Sequence, residues 1–182
     1  MNITQDKQKL IGILTIIVMA AQGLNVANAS ERNNLSTETV VSVDSASQEA
    51  FSVSTEEKLK KFENKGSLTD GELKELLYFV GFRGNDLKEA WAIAKKESNG
   101  QPIRFNGNTK TGDSSYGMFQ INMISSLGPE RRDKFNLVSN SDLLNPVINA
   151  QIAFHMSDGG KDWSAWHGIT AKTKMWMSRF PN

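Results

Sequence analysis

The chain has 182 residues, 38% of them hydrophobic and 8% aromatic, with no cysteine and a formal net charge of +1. This suffices for one modest globular domain plus extra chain, and falls short of two full domains. The near-zero charge removes the strong electrostatic case for nucleic acid, and the missing cysteines exclude disulfides, thiol catalysis and Cys-based zinc sites. His155 and His167 stand in no ligand spacing, so no metal and no other cofactor is expected.

The N-terminal segment carries Lys7 and Lys9 against Asp6, then an apolar run of 12 residues, Leu10 to Ala21. A membrane-spanning helix needs roughly 20. Ala27-Asn28-Ala29 supplies small residues at the spacing a signal peptidase reads. Residues 1–29 are therefore expected to be a secretory signal that delivers a secreted or periplasmic protein, with an uncleaved anchor as the alternative. A secreted chain without cysteine fits a bacterial or phage source. Residues 30–66 are rich in Ser, Thr, Glu and Asn and lack an apolar stripe, so a disordered spacer is expected. Within it, Glu56 to Gly66 has the makings of a short helix.

The folded domain is expected over 67–182. "LTDGELKELLYFVG" starts it: Thr69 followed by Glu72 is a capping box, and Leu68 and Leu73 hold staple positions. Leu73, Leu76, Leu77 and Val80 form one apolar face, and Gly81 can close the helix. A second helix starts within Arg83 to Asp86 and stops by Gly100, since Pro102 prevents continuation. The helical period then lapses. Asn106-Gly107 and Gly112 predict a small irregular antiparallel hairpin, and "MFQINMISSLG" a short helix or turn. Another helix is expected from about Asn145, with Pro146 in its first turn. A tryptophan-dense helical or mixed stretch ends the chain.

Glu97 draws attention on the second helix. At about 100° per residue it falls within the arc of Leu87, Ala90, Trp91, Ile93 and Ala94, while Lys88, Lys95 and Lys96 fall outside. It should face the core, or a cleft cut into it. An apolar seat and a helix C-terminus both disfavour a carboxylate's charged form, which suits a general acid. The plainer alternative is a helix-end glutamate that reaches solvent or pairs with a lysine.

The residues after Glu97 bear on that choice. "ESNG", Glu97 to Gly100, resembles the catalytic Glu-Ser motif of the lysozyme-like superfamily, which holds lytic transglycosylases, goose-type and chicken-type lysozymes and phage cell-wall lysins. "SYGMFQIN", Ser115 to Asn122, resembles the Gly-(Leu/Met)-x-Gln-(Ile/Val) motif that follows it. "DWSAW", Asp162 to Trp166, is similar to the aromatic segment closing the cleft. Order and spacing agree from about Leu68 to Trp166.

The resemblance implies an α+β, mainly α fold with a small β-hairpin lobe beside a helical lobe. It implies peptidoglycan glycan strands as substrate and Glu97 as catalytic acid and base between N-acetylmuramic acid and N-acetylglucosamine. The two outcomes are a 1,6-anhydro end in a transglycosylase and hydrolysis in a muramidase. A wall-binding or virion protein that keeps the fold without turnover is a third reading. The chain departs from chicken-type lysozymes at one place: they carry Asp immediately before Tyr-Gly, and this chain has Ser115. A hydroxyl cannot do a carboxylate's work there. Asp113 either reaches the cleft through the hairpin or bonds its own turn. Ser98 either orients Glu97 or caps the helix. Ser115, Tyr116, Gln120 and Trp166 are candidates for sugar contact, each with a packing alternative. A monomer is expected, serving wall turnover, an envelope-spanning secretion machine or a phage virion.

Overall fold

The computed structural model describes residues 55–108 and 110–182. Residues 1–54, with the expected signal segment and most of the expected spacer, lie outside the described residues. Residues 55–60 are helical, and Leu59 and Phe62 are buried in the core. Packing thus reaches back beyond residue 67, the boundary read from composition. A polar stretch can still hold two apolar residues three apart, and that spacing places them together on a helical turn.

Helix α1 (Asp70–Val80) begins as its sequence dictates. The Glu72 N–H donates to Thr69 Oγ1 at 3.2 Å and the Thr69 N–H donates to Glu72 Oε2 at 2.8 Å, which closes the capping box. Leu73, Leu76, Leu77 and Val80 are buried, each contributing roughly 1.5–3 kcal/mol of apolar burial. Helix α2 (Gly84–Ser98) is buried at Leu87, on most of its circumference from Ala90 through Lys95, and again at Ser98. It packs against α1, a terminal helix α5 (Ala171–Met177) and the turn at 158–160.

The small sheet differs from the expected hairpin. Its strands are β1 (Phe105–Asn106), β2 (Ser115–Tyr116) and β3 (Ile121–Asn122), antiparallel in the order β1-β2-β3. Asn106 pairs with Ser115 inside the ladder, so Asn106-Gly107 does not make a two-residue turn. The chain between them is a longer loop, tied by the Asp113 N–H donating to the Asn108 carbonyl at 2.9 Å. "MFQIN" is a turn followed by the third strand, where a short helix or turn was expected.

Helix α3 (Leu127–Lys134), a 3₁₀ turn (Asn140–Leu144) and helix α4 (Pro146–Met156) follow. Asn145 caps α4 by accepting from the N–H groups of Val147 and Ile148, with Pro146 at the first position. Helix α4 lies against α1, and strand β2 meets the 140–144 turn that leads into it. An aromatic layer joins the two lobes. Trp163 stacks on Phe82 (centroids 6.0 Å apart) and on Phe119 (6.3 Å), with Trp166 edge-on to both Phe119 and Trp163. The result is mainly helical with one small antiparallel sheet, as the resemblance implied.

Candidate active site

Helix α2 ends in a left-handed turn that sets the site. Asn99 has φ 60°, and its N–H donates to the Lys95 carbonyl at 3.0 Å. The Gly100 N–H reaches the Ala94 carbonyl at 3.1 Å, so the Ala94 and Lys95 carbonyls in the last turn are satisfied. Immediately beside this end opens a pocket of about 400 Å³. It is lined by Lys95, Lys96, Glu97, Ser98, Asn99, Gln101, Arg104, Lys172 and Trp176.

Glu97 continues the stripe of Ala90 and Ile93, both fully buried. One turn later the core has ended and the pocket has begun. The Glu97 side chain keeps 25% exposure, and its Oε1 lies 3.0 Å from Lys96 Nζ. Of the two expected positions, core or cleft, Glu97 takes the cleft, and its carboxylate sits there beside a lysine. Lys96 also donates to the Trp166 carbonyl at 2.7 Å, so it links Glu97 to the segment that follows α4. Glu97 Oε2 has no partner among the described residues.

Ser98, the next residue along α2, is buried. Its hydroxyl donates to the Met118 carbonyl at 2.8 Å and accepts from the Gln101 N–H at 3.0 Å. It fixes the helix end to the turn between β2 and β3. That turn is held from every side. Asn149, fully buried on α4, accepts from the Phe119 N–H at 2.9 Å and donates to the Tyr116 and Leu143 carbonyls, both at 3.0 Å. Trp166 Nε1 donates to the Phe119 carbonyl at 2.7 Å. Gln120, at φ 47°, donates from Nε2 to the Gly117 carbonyl at 2.9 Å and to the Arg104 carbonyl at 3.3 Å. Gly117, at φ 74°, has no room for a methyl group.

The predicted residues therefore divide. Glu97 and Ser98 line the pocket; Asp113, Ser115, Tyr116, Gln120 and Trp166 do not. Trp166 is 5% exposed and belongs to the core layer under the site. Ser115 is buried, and its hydroxyl donates to Asp113 Oδ1 at 2.5 Å, while Asn106 Nδ2 holds Asp113 Oδ2 at 2.5 Å. Tyr116 is half-buried, and its ring lies 4.7 Å from that of exposed Phe105. Sequence reading missed Lys96, Arg104, Lys172 and Trp176. Lys96 adjoins Glu97 but was set aside as a solvent-side lysine, and Lys172 and Trp176 come from a helix far along the chain that carried no motif.

The fold is thus mainly helical with one small sheet, and a pocket lined by the helix-end glutamate opens beside α2. A family model for the lysozyme-like domain matches residues 74–168, more than half of the chain, and the chain belongs to that family. Membership places it among domains that act on the glycosidic bonds of peptidoglycan. Neither a curated protein nor a solved structure matches the chain.

Proposed function

We propose that the protein is a lytic transglycosylase that cleaves the β-1,4 bond between N-acetylmuramic acid and N-acetylglucosamine. One observation carries the reading: Glu97 is the one carboxylate among the residues that line the pocket. Glu97 gives its proton to the glycosidic oxygen as the bond to the muramic C1 breaks. The resulting carboxylate then takes the proton of the same sugar's C6 hydroxyl, whose oxygen closes on C1 to leave a 1,6-anhydro end. One group thus serves as acid and then as base, and no second carboxylate is required. Lys96 holds Oε1, which leaves Oε2 to carry the proton.

Hydrolysis is the second reading. Asp113, the second carboxylate it would call on, is bonded through both oxygens by Ser115 and Asn106 and stands outside the pocket, which weighs toward the single-glutamate route. Mass spectrometry of digested glycan strands separates the two: anhydro-muramic ends support the transglycosylase and reducing ends the muramidase. A zymogram with Glu97→Gln is the companion test. Clearing that survives the substitution removes Glu97 from the mechanism, and no clearing by the wild type points to a wall-binding protein. The same reading takes residues 1–29 as an export signal, which N-terminal sequencing of the exported protein checks.

A further inference from the structure

We propose that the pocket beside Glu97 binds a carboxylate carried by the glycan substrate, with Arg104 and Lys172 as the cations that select it. This rests on the glycan-cleaving reading of Glu97 and adds a specificity to it. The pocket wall holds four cationic side chains and one anionic one. Two of the cations are already matched: Lys95 Nζ lies 2.8 Å from Asp70 Oδ1, and Lys96 Nζ lies 3.0 Å from Glu97 Oε1. Arg104 and Lys172 are exposed and have no acidic partner among the described residues. Their charge at the pocket is left over.

Further features favour an anion over a neutral sugar face. The Arg104 backbone is pinned, because its carbonyl accepts from the Gly117 N–H at 2.7 Å and from Gln120 Nε2. The side chain therefore springs from a fixed backbone at the pocket wall, and its planar fork is built to pair with a carboxylate. Lys172 stands on α5 beside fully buried Thr173 and is likewise anchored at its base. The Trp176 ring forms a wall, with Lys95 Nζ 5.0 Å and the Arg179 guanidinium 5.3 Å from its centroid, so the wall itself is flanked by positive charge. Peptidoglycan's backbone sugars are neutral. Its negative charge comes from carboxylates on the muramic side group, either on the attached peptide or on the free lactyl group once the peptide is removed. A planar carboxylate matches the fork of a guanidinium.

The test compares three soluble glycan substrates: strands bearing peptides, the same strands with carboxyl groups converted to amides, and strands stripped of peptides that retain the lactyl carboxylate. For the wild type, kcat/KM on peptide-bearing strands should exceed that on amidated strands by about tenfold. In Arg104→Gln/Lys172→Gln that ratio should fall to about one, and Arg104→Lys/Lys172→Arg should restore part of it. Preference kept on stripped strands assigns the lactyl carboxylate as the group recognised; preference lost there assigns the peptide. Equal wild-type rates on native and amidated strands overturn the proposal, as does a double variant that loses equally on both. Calorimetric binding of the same strands to Glu97→Gln reads the pocket without turnover. If the wild type cleaves nothing, the cleavage reading fails, while a tenfold binding preference for the unamidated strand, lost on adding the double substitution, still upholds the carboxylate site and its absence still sinks it.

Discussion

Gly117 and Asn149 occupy neighbouring space with nothing between them: a methyl group on Gly117 would lie 2.3 Å from Asn149 Nδ2 and 2.4 Å from the Leu143 carbonyl. The same Asn149 amide bonds both ends of the turn that contains Gly117. Only glycine fits that position, and only a side chain with a donor and an acceptor fits opposite. Gly117→Ala should therefore cost about 3 kcal/mol, from the clash and from φ 74° together, lowering the melting temperature by roughly 12 °C. Asn149→Ala should cost about 2–4 kcal/mol, since it strands a buried N–H and two carbonyls. Thermal and urea melts measure both. A Gly117→Ala melt within 2 °C or so of wild type would contradict the packing described.

The helix ends that frame the pocket could be read from the chain, but of its lining only Glu97 and Ser98 could, and the rest has a physical cause. The capping box at Thr69, the end of α2 at Gly100 and the start of α4 at Asn145 were all visible, because caps are local chemistry. Glu97 was singled out by its place on the helical wheel and by the resemblance of the Glu-Ser stretch. Its surroundings were not legible: the wheel assigns a face, but whether that face meets core or cleft depends on what packs beyond the helix end. Lys172 and Trp176 reach the pocket through the packing of α5 on α2, which no local pattern records. Gln120 and Asn149 show the opposite case. Their polarity suggests function, yet their side chains bond backbone groups that shape the turn.

Trp166 gives a direct check on the division between core and cleft. Trp166→Phe keeps an aromatic ring in the layer with Phe119 and Trp163 but removes the indole donor to the Phe119 carbonyl. Stability should fall by about 1–3 kcal/mol, the cost of a buried carbonyl without its partner. KM for glycan strands should change by less than about twofold, because the ring does not line the pocket. A large rise in KM with an unchanged melt would return Trp166 to the sugar-binding surface.

Glu72 sets an acid limb on stability. The hydrogen bond from the Lys65 ammonium, followed by those from the Thr69 backbone and hydroxyl, lowers its pKa to about 2. The folded value lies below the unfolded one, so the contribution is complete above about pH 4.5 and is lost as pH falls toward 2. The side chain is 31% exposed, so solvent screening limits the charge contribution to about 0.5–1 kcal/mol. Glu72→Gln keeps an acceptor for the capping box and removes the charge. Its deficit against wild type should be near that size at pH 7 and should shrink steadily below pH 4.5. Urea melts across that range decide it: a constant deficit would mean that the Lys65 pair is not the source.

Lys96 should matter to turnover more than to binding. It is the ammonium at 3.0 Å from Glu97 Oε1, and its second bond, to the Trp166 carbonyl, fixes where that ammonium stands. A carboxylate held through one oxygen presents the other in a narrow range of directions, and proton transfer depends steeply on direction. Lys96→Met keeps most of the side-chain volume and removes both bonds. On the proposed mechanism kcat should fall about tenfold with KM within about twofold, and Lys96→Arg should recover part of the loss because a guanidinium retains a donor for each partner. Steady-state kinetics on soluble glycan strands, with circular dichroism to confirm the fold, provide the measurement. A rise in KM at unchanged kcat would instead make Lys96 a substrate-binding cation, and would add it to Arg104 and Lys172 in the pocket's recognition of charge.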